Sequence, residues 1–266
     1  MVGAHSTVLL VLLAAAPAFA APLAPVTASA AVPQPGAYWM QIERRIESRY
    51  FQQNAGGLQA MAVSLAVDRS PGHGDARDEE WRSYYAALLD YRLVLLAKGN
   101  ETRAWPFTER CVDRLDQALV LDPGSAEALA LQSACLALQS RLDPWRSPLA
   151  APLSLARIEK ALKLAPDNPR VLLLGAEGAR DRPKFFGGNS QQAFTLLKRA
   201  VGAFEEQDAA ARTVPAWGAA DAFTGLARDY LTRGDAIAAR NVLERALLVA
   251  PHFGQARRLM AEIVSG

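Results

Sequence analysis

Apolar residues along this chain recur at helical rather than strand spacing, in segments that close on proline. Leu121-Asp122-Pro123, Leu164-Ala165-Pro166 and Val249-Ala250-Pro251 each end a run rich in Ala and Leu. A proline there lacks the backbone donor and clashes with the preceding turn, so the chain must leave the helix. Upstream, one small-aliphatic-small signature appears in four copies: Cys111/Leu115/Ala118, Ser154/Ile158/Ala161, Ala193/Leu197/Ala200 and Ala239/Leu243/Ala246. Residues four and seven apart share a helix face, and small side chains on it let two antiparallel helices approach closely. The pattern predicts a stack of helical hairpins.

The last copy is the fullest. Phe223, Leu226-Ala227, Tyr230, Gly234-Asp235, Ala239, Leu243, Ala246 and Pro251 stand at the spacings of a helix-turn-helix repeat. On these positions the segment resembles the tetratricopeptide-repeat family, in which the Gly-Asp pair closes the turn between helices A and B and the other residues make the seam. The resemblance implies an all-α, right-handed superhelical solenoid of antiparallel helix hairpins. The earlier copies match in helix B and less well in helix A, where Tyr84/Leu88/Tyr91, Leu129/Ser133/Leu136 and Leu172/Gly175/Gly178 are the best placements. They are spaced more widely than the family repeat of about 34 residues, so the excess is loop. The expected organisation is degenerate repeats over 81–123, 124–166, 167–206 and 220–253, a helical pair from Tyr38 to Asp68 before them, and a capping helix over 252–264, all within a domain spanning 36–266.

The N-terminus reads as a targeting segment. Val8 to Ala16 is an unbroken apolar run, Pro17 ends it, and Ala18-Phe19-Ala20 supplies a small-x-small cleavage pattern, although no Lys or Arg precedes the run. The stretch is too short to span a bilayer. Cleavage after Ala20 is expected, followed by an Ala- and Pro-rich leader over 21–35 and a periplasmic or secreted product without an integral membrane segment.

Where a site would stand depends on the loops. Gly99–Pro106, Arg141–Pro148 and Asp181–Asn189 fall in successive A-to-B turns, which in a solenoid emerge along one edge. Each carries an aromatic residue beside or near a proline, and positions 105, 145 and 185 are evenly spaced. Trp105, Phe107, Trp145, Arg146, Lys184, Phe185 and Phe186 are therefore the candidate binding residues, an exposed aromatic row with basic neighbours. The alternative is that each ring folds back to pin its own loop. Gly187-Gly188 reads as a tight turn into an Asn189 helix cap. Pro215-Ala216-Trp217-Gly218 is expected to pack on the opposite edge. This element and Phe186-Gly187-Gly188 resemble segments of exported bacterial repeat proteins. The A helices are dominated by Ala, Leu and Gly, so a concave groove between them is expected to be apolar.

Composition narrows the function classes. The 266 residues are 51% hydrophobic and 21% charged, enough to bury a substantial core. With 29 basic and 27 acidic residues the net charge is +2, which offers no field for nucleic acid. Beyond the leader only His73 and His252 remain, far apart in sequence, and Cys-x-x-Cys and His-Glu-x-x-His patterns are missing. Catalytic residues, metal and cofactor are accordingly not expected. Asp78, Glu79 and Glu80 read as acids at a helix N-terminus. Cys111 and Cys135 stand equidistant from Pro123, which places them at one height on adjacent helices, either as a disulfide or as small residues at a close helix contact. The resemblance implies a scaffold that binds an unknown protein or peptide, with a carrier of a hydrophobic small ligand as the alternative and an enzyme as a distant third.

Overall fold

The computed structural model describes Met1, Gly3 and residues 35–265 apart from 98, 146–147, 185–186 and 208–213. The chain divides into Met1–Val32 and Pro33–Gly266, and the second unit holds eleven helices with no strand among the described residues. The expected signal segment and leader lie, but for Met1, Gly3 and the start of the first helix, outside the described residues. No helix among the described residues is long and apolar enough to cross a membrane.

In chain order the helices are α1 (Pro35–Phe51), α2 (Ala55–Val67), α3 (Ala76–Leu96), α4 (Glu101–Leu121), α5 (Ala126–Leu142), α6 (Ala150–Leu164), α7 (Pro169–Asp181), α8 (Ser190–Glu206), α9 (Ala219–Thr232), α10 (Ala236–Val249) and α11 (Gly254–Ser265). Most begin on a side chain that accepts from an otherwise unpaired first-turn amide: Asp75 for α3, Asn100 for α4, Ser125 for α5, Asn168 for α7, Asn189 for α8 and Asp235 for α10. Asn168 is followed by Pro169 in the first turn, where the missing donor costs nothing.

Consecutive helices pair as the hairpins α3–α4, α5–α6, α7–α8 and α9–α10, and each stacks on the next. The architecture is an all-α solenoid of antiparallel hairpins. The signature residues form its seams. Cys111, Leu115, Ala118, Ser154, Ile158, Ala161, Ala193, Leu197, Ala200, Ala239, Leu243 and Ala246 are all buried. Gly234 closes the last hairpin at φ 80°, a left-handed conformation that suits glycine, and Asp235 caps the next helix through the Ala238 amide. Phe223 and Ala227 are buried, Tyr230 is half-buried against Phe194 with ring centroids 5.5 Å apart, and Pro251 is exposed at the following turn. Cys111 on α4 and Cys135 on α5 are joined as a disulfide with Cα atoms 6.2 Å apart.

Two expectations change. The Gly99–Pro106 segment is not a loop, because Asn100 caps α4 and the helix runs through Pro106. A proline in the second turn removes one intrahelical bond without ending the helix. The N-terminal pair also departs from the repeat stack. Trp39, Ile42, Ile46 and Tyr50 form one fully apolar face of α1, and this face lies across the A-helix side of the solenoid, from the start of α3 to the turn before α11.

Candidate functional site

What holds α1 across the inner side is a set of buried polar contacts that bridge distant parts of the chain. At its first end the Trp39 indole Nε1 donates to Asp78 Oδ1 at 2.9 Å, and the ring stacks on Tyr85 at 5.5 Å. Asp78 also accepts from the Ser70 hydroxyl. It is therefore an anchor for α1 more than a neighbour of a helix dipole, while Glu79 pairs with His73 at 3.0 Å. In the middle Glu43 accepts from the Tyr85 hydroxyl at 2.8 Å and from the Ala216 amide at 3.0 Å. One turn on, Glu47 takes a two-pronged bond from Arg92 at 2.9 and 2.8 Å. At the far end Phe51 and Tyr50 pack on Phe253, with centroids at 4.8 and 5.8 Å.

Arg92 is the centre of this arrangement. It is 1% exposed, it also donates to Asp221 of α9 at 2.8 Å, and its guanidinium lies over the rings of Tyr50 and Trp217 at 4.1 and 5.0 Å. Burial alone would lower its pKa, but Asp221 and Glu47 outweigh that and push it above its usual value. Around it the A helices contribute further polar groups. Tyr91 donates to Glu177 of α7 at 3.0 Å, Glu127 of α5 accepts from Arg170 at 2.8 Å, and Trp217 donates to the Tyr84 hydroxyl at 2.9 Å. The concave side was expected to be apolar. It is instead an ion-paired and aromatic layer filled by α1.

One side of α1 borders a cleft, with Arg44, Ser48 and Gln52 exposed and Glu43 and Glu47 buried. Met40, Glu43, Arg44, Glu47, Ser48, Phe51 and Gln52 follow each other at helical intervals along a cleft of about 320 Å³, and Ala216–Ala220 and Val249–His252 make its opposite wall. Gly218 opens α9 at φ 103° with its backbone packed against α7 and α8, where an added Cβ would lie 3.1 Å from Leu173 and Phe204. Desolvation raises the pKa of Glu43 and Glu47 above the ordinary carboxylate value, the first against its bonds from Ala216 and Tyr85, the second against the charge of Arg92. Pro215-Ala216-Trp217-Gly218 thus packs, as expected of it, but against α1 and α3 and not on an outer edge.

Of the described residues expected in an exposed aromatic row, two are buried and two are exposed. Trp105 and Phe107 are buried in α4, at 7% and 8% exposure, with Arg110 over the Phe107 ring. Trp145 is 93% exposed and has exposed Leu149 and Leu153 after it in the chain, and Lys184 is exposed in the next loop. Arg146, Phe185 and Phe186 lie outside the described residues. The Gly187-Gly188 pair makes a tight turn, since the Gly188 amide donates to Pro183 O, the Asn189 amide donates to Ala179 O, and a Cβ on Gly188 would collide with the Arg182 carbonyl.

No family model and no curated protein matches this chain. Among solved structures it is similar to the HusA haemophore from Porphyromonas gingivalis, with 23% identity and a TM-score of 0.55 over 75% of this chain and 96% of that one. It is also similar to a Podosopora anserina protein of nearly identical TPR-like repeats, with 16% identity and a TM-score of 0.30 over 86% of this chain and 97% of that one. The likeness to the haemophore is one of fold. These neighbours are a haemophore and a TPR-like repeat protein, neither of them an enzyme.

Proposed function

We propose that this chain is an exported, non-enzymatic helical-repeat carrier that holds a small hydrophobic ligand in the cleft beside α1. The observation that carries this reading is the cleft along α1. A helix seated inside the solenoid occupies the surface on which a peptide would lie, yet leaves a cleft of about 320 Å³ walled by Met40, Phe51, Trp217, Ala219 and Val249. Concave sites with an apolar lining and few polar groups are the usual form of small-ligand pockets. The fold is shared with a protein named as a haemophore, which supports a carrier without naming its cargo.

The test is a fluorescence titration of the full chain with the neutral probe N-phenyl-1-naphthylamine, together with solvent extraction of the freshly purified protein. Binding should be saturable and abolished by Ser48→Trp, which places an indole in the cleft from an exposed position. Equal binding by a folded Ser48→Trp variant would sink the reading. A second reading, a protein or peptide partner in the cell envelope, is favoured by the exposure of Trp145 and of Leu149 and Leu153 shortly after it in the chain. Trp145→Ala run alongside separates the two: it leaves the probe signal intact, and loss of a co-purifying protein from this variant alone would favour the partner.

A further inference from the structure

We infer that the cleft takes a single-chain amphiphile with an anionic head group, the head at Arg44 and the tail laid along α1 towards Phe51, Val249 and Pro251. The inference rests on the carrier reading above and adds the chemical class of the cargo. Four ionisable side chains line the cleft: Glu43, Arg44, Glu47 and His252. The two acids turn into the protein, where Glu43 is held by Tyr85 and Ala216 and Glu47 by Arg92, and both are buried. Arg44 and His252 are exposed and make no hydrogen bond or ion pair among the described residues. A molecule entering the cleft therefore meets the Arg44 guanidinium, with His252, Ser48 and Gln52 as the other exposed polar side chains. A carboxylate, sulfonate or phosphate complements that charge, and an arginine offers it a two-pronged contact.

Shape selects the body of the ligand. Met40 to Gln52 extends for about 18 Å along the helix at the usual rise per residue. The cleft of about 320 Å³ runs between this stretch of α1 and the wall made by Ala216–Ala220 and Val249–His252. An extended alkyl chain of about twelve carbons, roughly 15–18 Å long, matches the length of that stretch. The apolar lining continues past Arg44 through Phe51 to Val249 and Pro251, so each methylene of the tail leaves water, worth about fourfold in affinity.

Calorimetric titration of the full chain tests this, using dodecanoate, dodecanol and dodecyltrimethylammonium below their aggregation concentrations, with haemin as a flat dicarboxylate. Dodecanoate should bind at least tenfold more tightly than the alcohol or the cation, and decanoate about fifteenfold more weakly than dodecanoate. Arg44→Glu should reverse the order of acid and cation, and Arg44→Lys should keep it; Arg44 is exposed, so neither variant is expected to unfold the chain. Equal binding of acid, alcohol and cation, or an unchanged order in Arg44→Glu, overturns the inference and leaves the carrier reading standing. Haemin binding with no dodecanoate binding does the same. If none of the probes binds, the carrier reading and the inference fall together.

Discussion

The two sides of the solenoid are built on different principles. On the B-helix side the contacts are local and repeated: Ala239, Leu243 and Ala246 of α10 do for the last hairpin what Cys111, Leu115 and Ala118 of α4 do for the first, each copy touching its own neighbours. On the inner side nothing repeats. Arg92 joins α1 to α9, Glu43 joins α1 to the segment before α9, and Tyr91 joins α3 to α7. A repeat protein held by seams alone is stabilised by nearest-neighbour terms. Here α1 and Arg92 add contacts between the two ends, so the array closes on itself and its stability becomes a property of the whole.

The sharpest way to break that contrast is Arg92→Leu. Removing the cation leaves buried Glu47 and half-buried Asp221 without their shared partner, a loss of about 3 kcal/mol, at the lower end for buried pairs. Urea unfolding should show the loss, and hydrogen exchange should show α1 and the start of α9 exposed together. Leu243→Ala serves as the local counterpart. Truncating a fully buried leucine costs about 2–5 kcal/mol, and Leu243 is completely buried in its seam. Its exchange should accelerate first in α9 and α10. If Arg92→Leu loosens α3 alone while α1 keeps its protection, the end-to-end closure is not what secures α1.

The same contrast explains what could be read from the sequence. The seams were legible because a small-aliphatic-small signature at fixed spacing has one physical use, and so were the Asn189 cap and the Gly234-Asp235 turn. Trp105 was misread because Pro106 looks like a loop marker, yet the Asn100 cap had already started the helix. The inner layer was invisible for a different reason. Arg92, Glu127, Arg170, Glu177 and Asp221 are single polar residues on helices full of Ala and Leu, each looks like an ordinary solvated charge, and their partners lie up to 129 residues away. Trp39, Ile42, Ile46 and Tyr50 did offer a signal. They give α1 a full apolar face, which an end-capping helix with one exposed side would not need, and Glu43 and Glu47 flank that face.

The smaller effect sharpens the comparison by pH, since the inner layer titrates and the seams do not. Desolvation, reinforced by the charge of Asp221, raises the pKa of Glu177 to about 7; Glu47 moves in the same direction through its own burial. A carboxyl whose folded pKa lies above its unfolded value holds its proton more tightly when folded. Its contribution to stability is therefore complete below the unfolded value of 4.5 and disappears as pH rises towards 7. For Glu177 the full linkage is about 3 kcal/mol, and the side chain keeps part of its surface in solvent, which makes about 1–2 kcal/mol the expected size. The wild-type chain should thus be most stable near pH 5 and lose stability by pH 8. Glu177→Gln keeps an acceptor for the Tyr91 hydroxyl and removes the titration, so its urea midpoint should match the wild type near pH 5 and exceed it at pH 8. A midpoint that is flat with pH in the wild type would mean that solvent reaches Glu177 freely and that the inner layer is no drier than the seams' exposed rims. The slope, and not the midpoint itself, reports how firmly α1 and its partners exclude water.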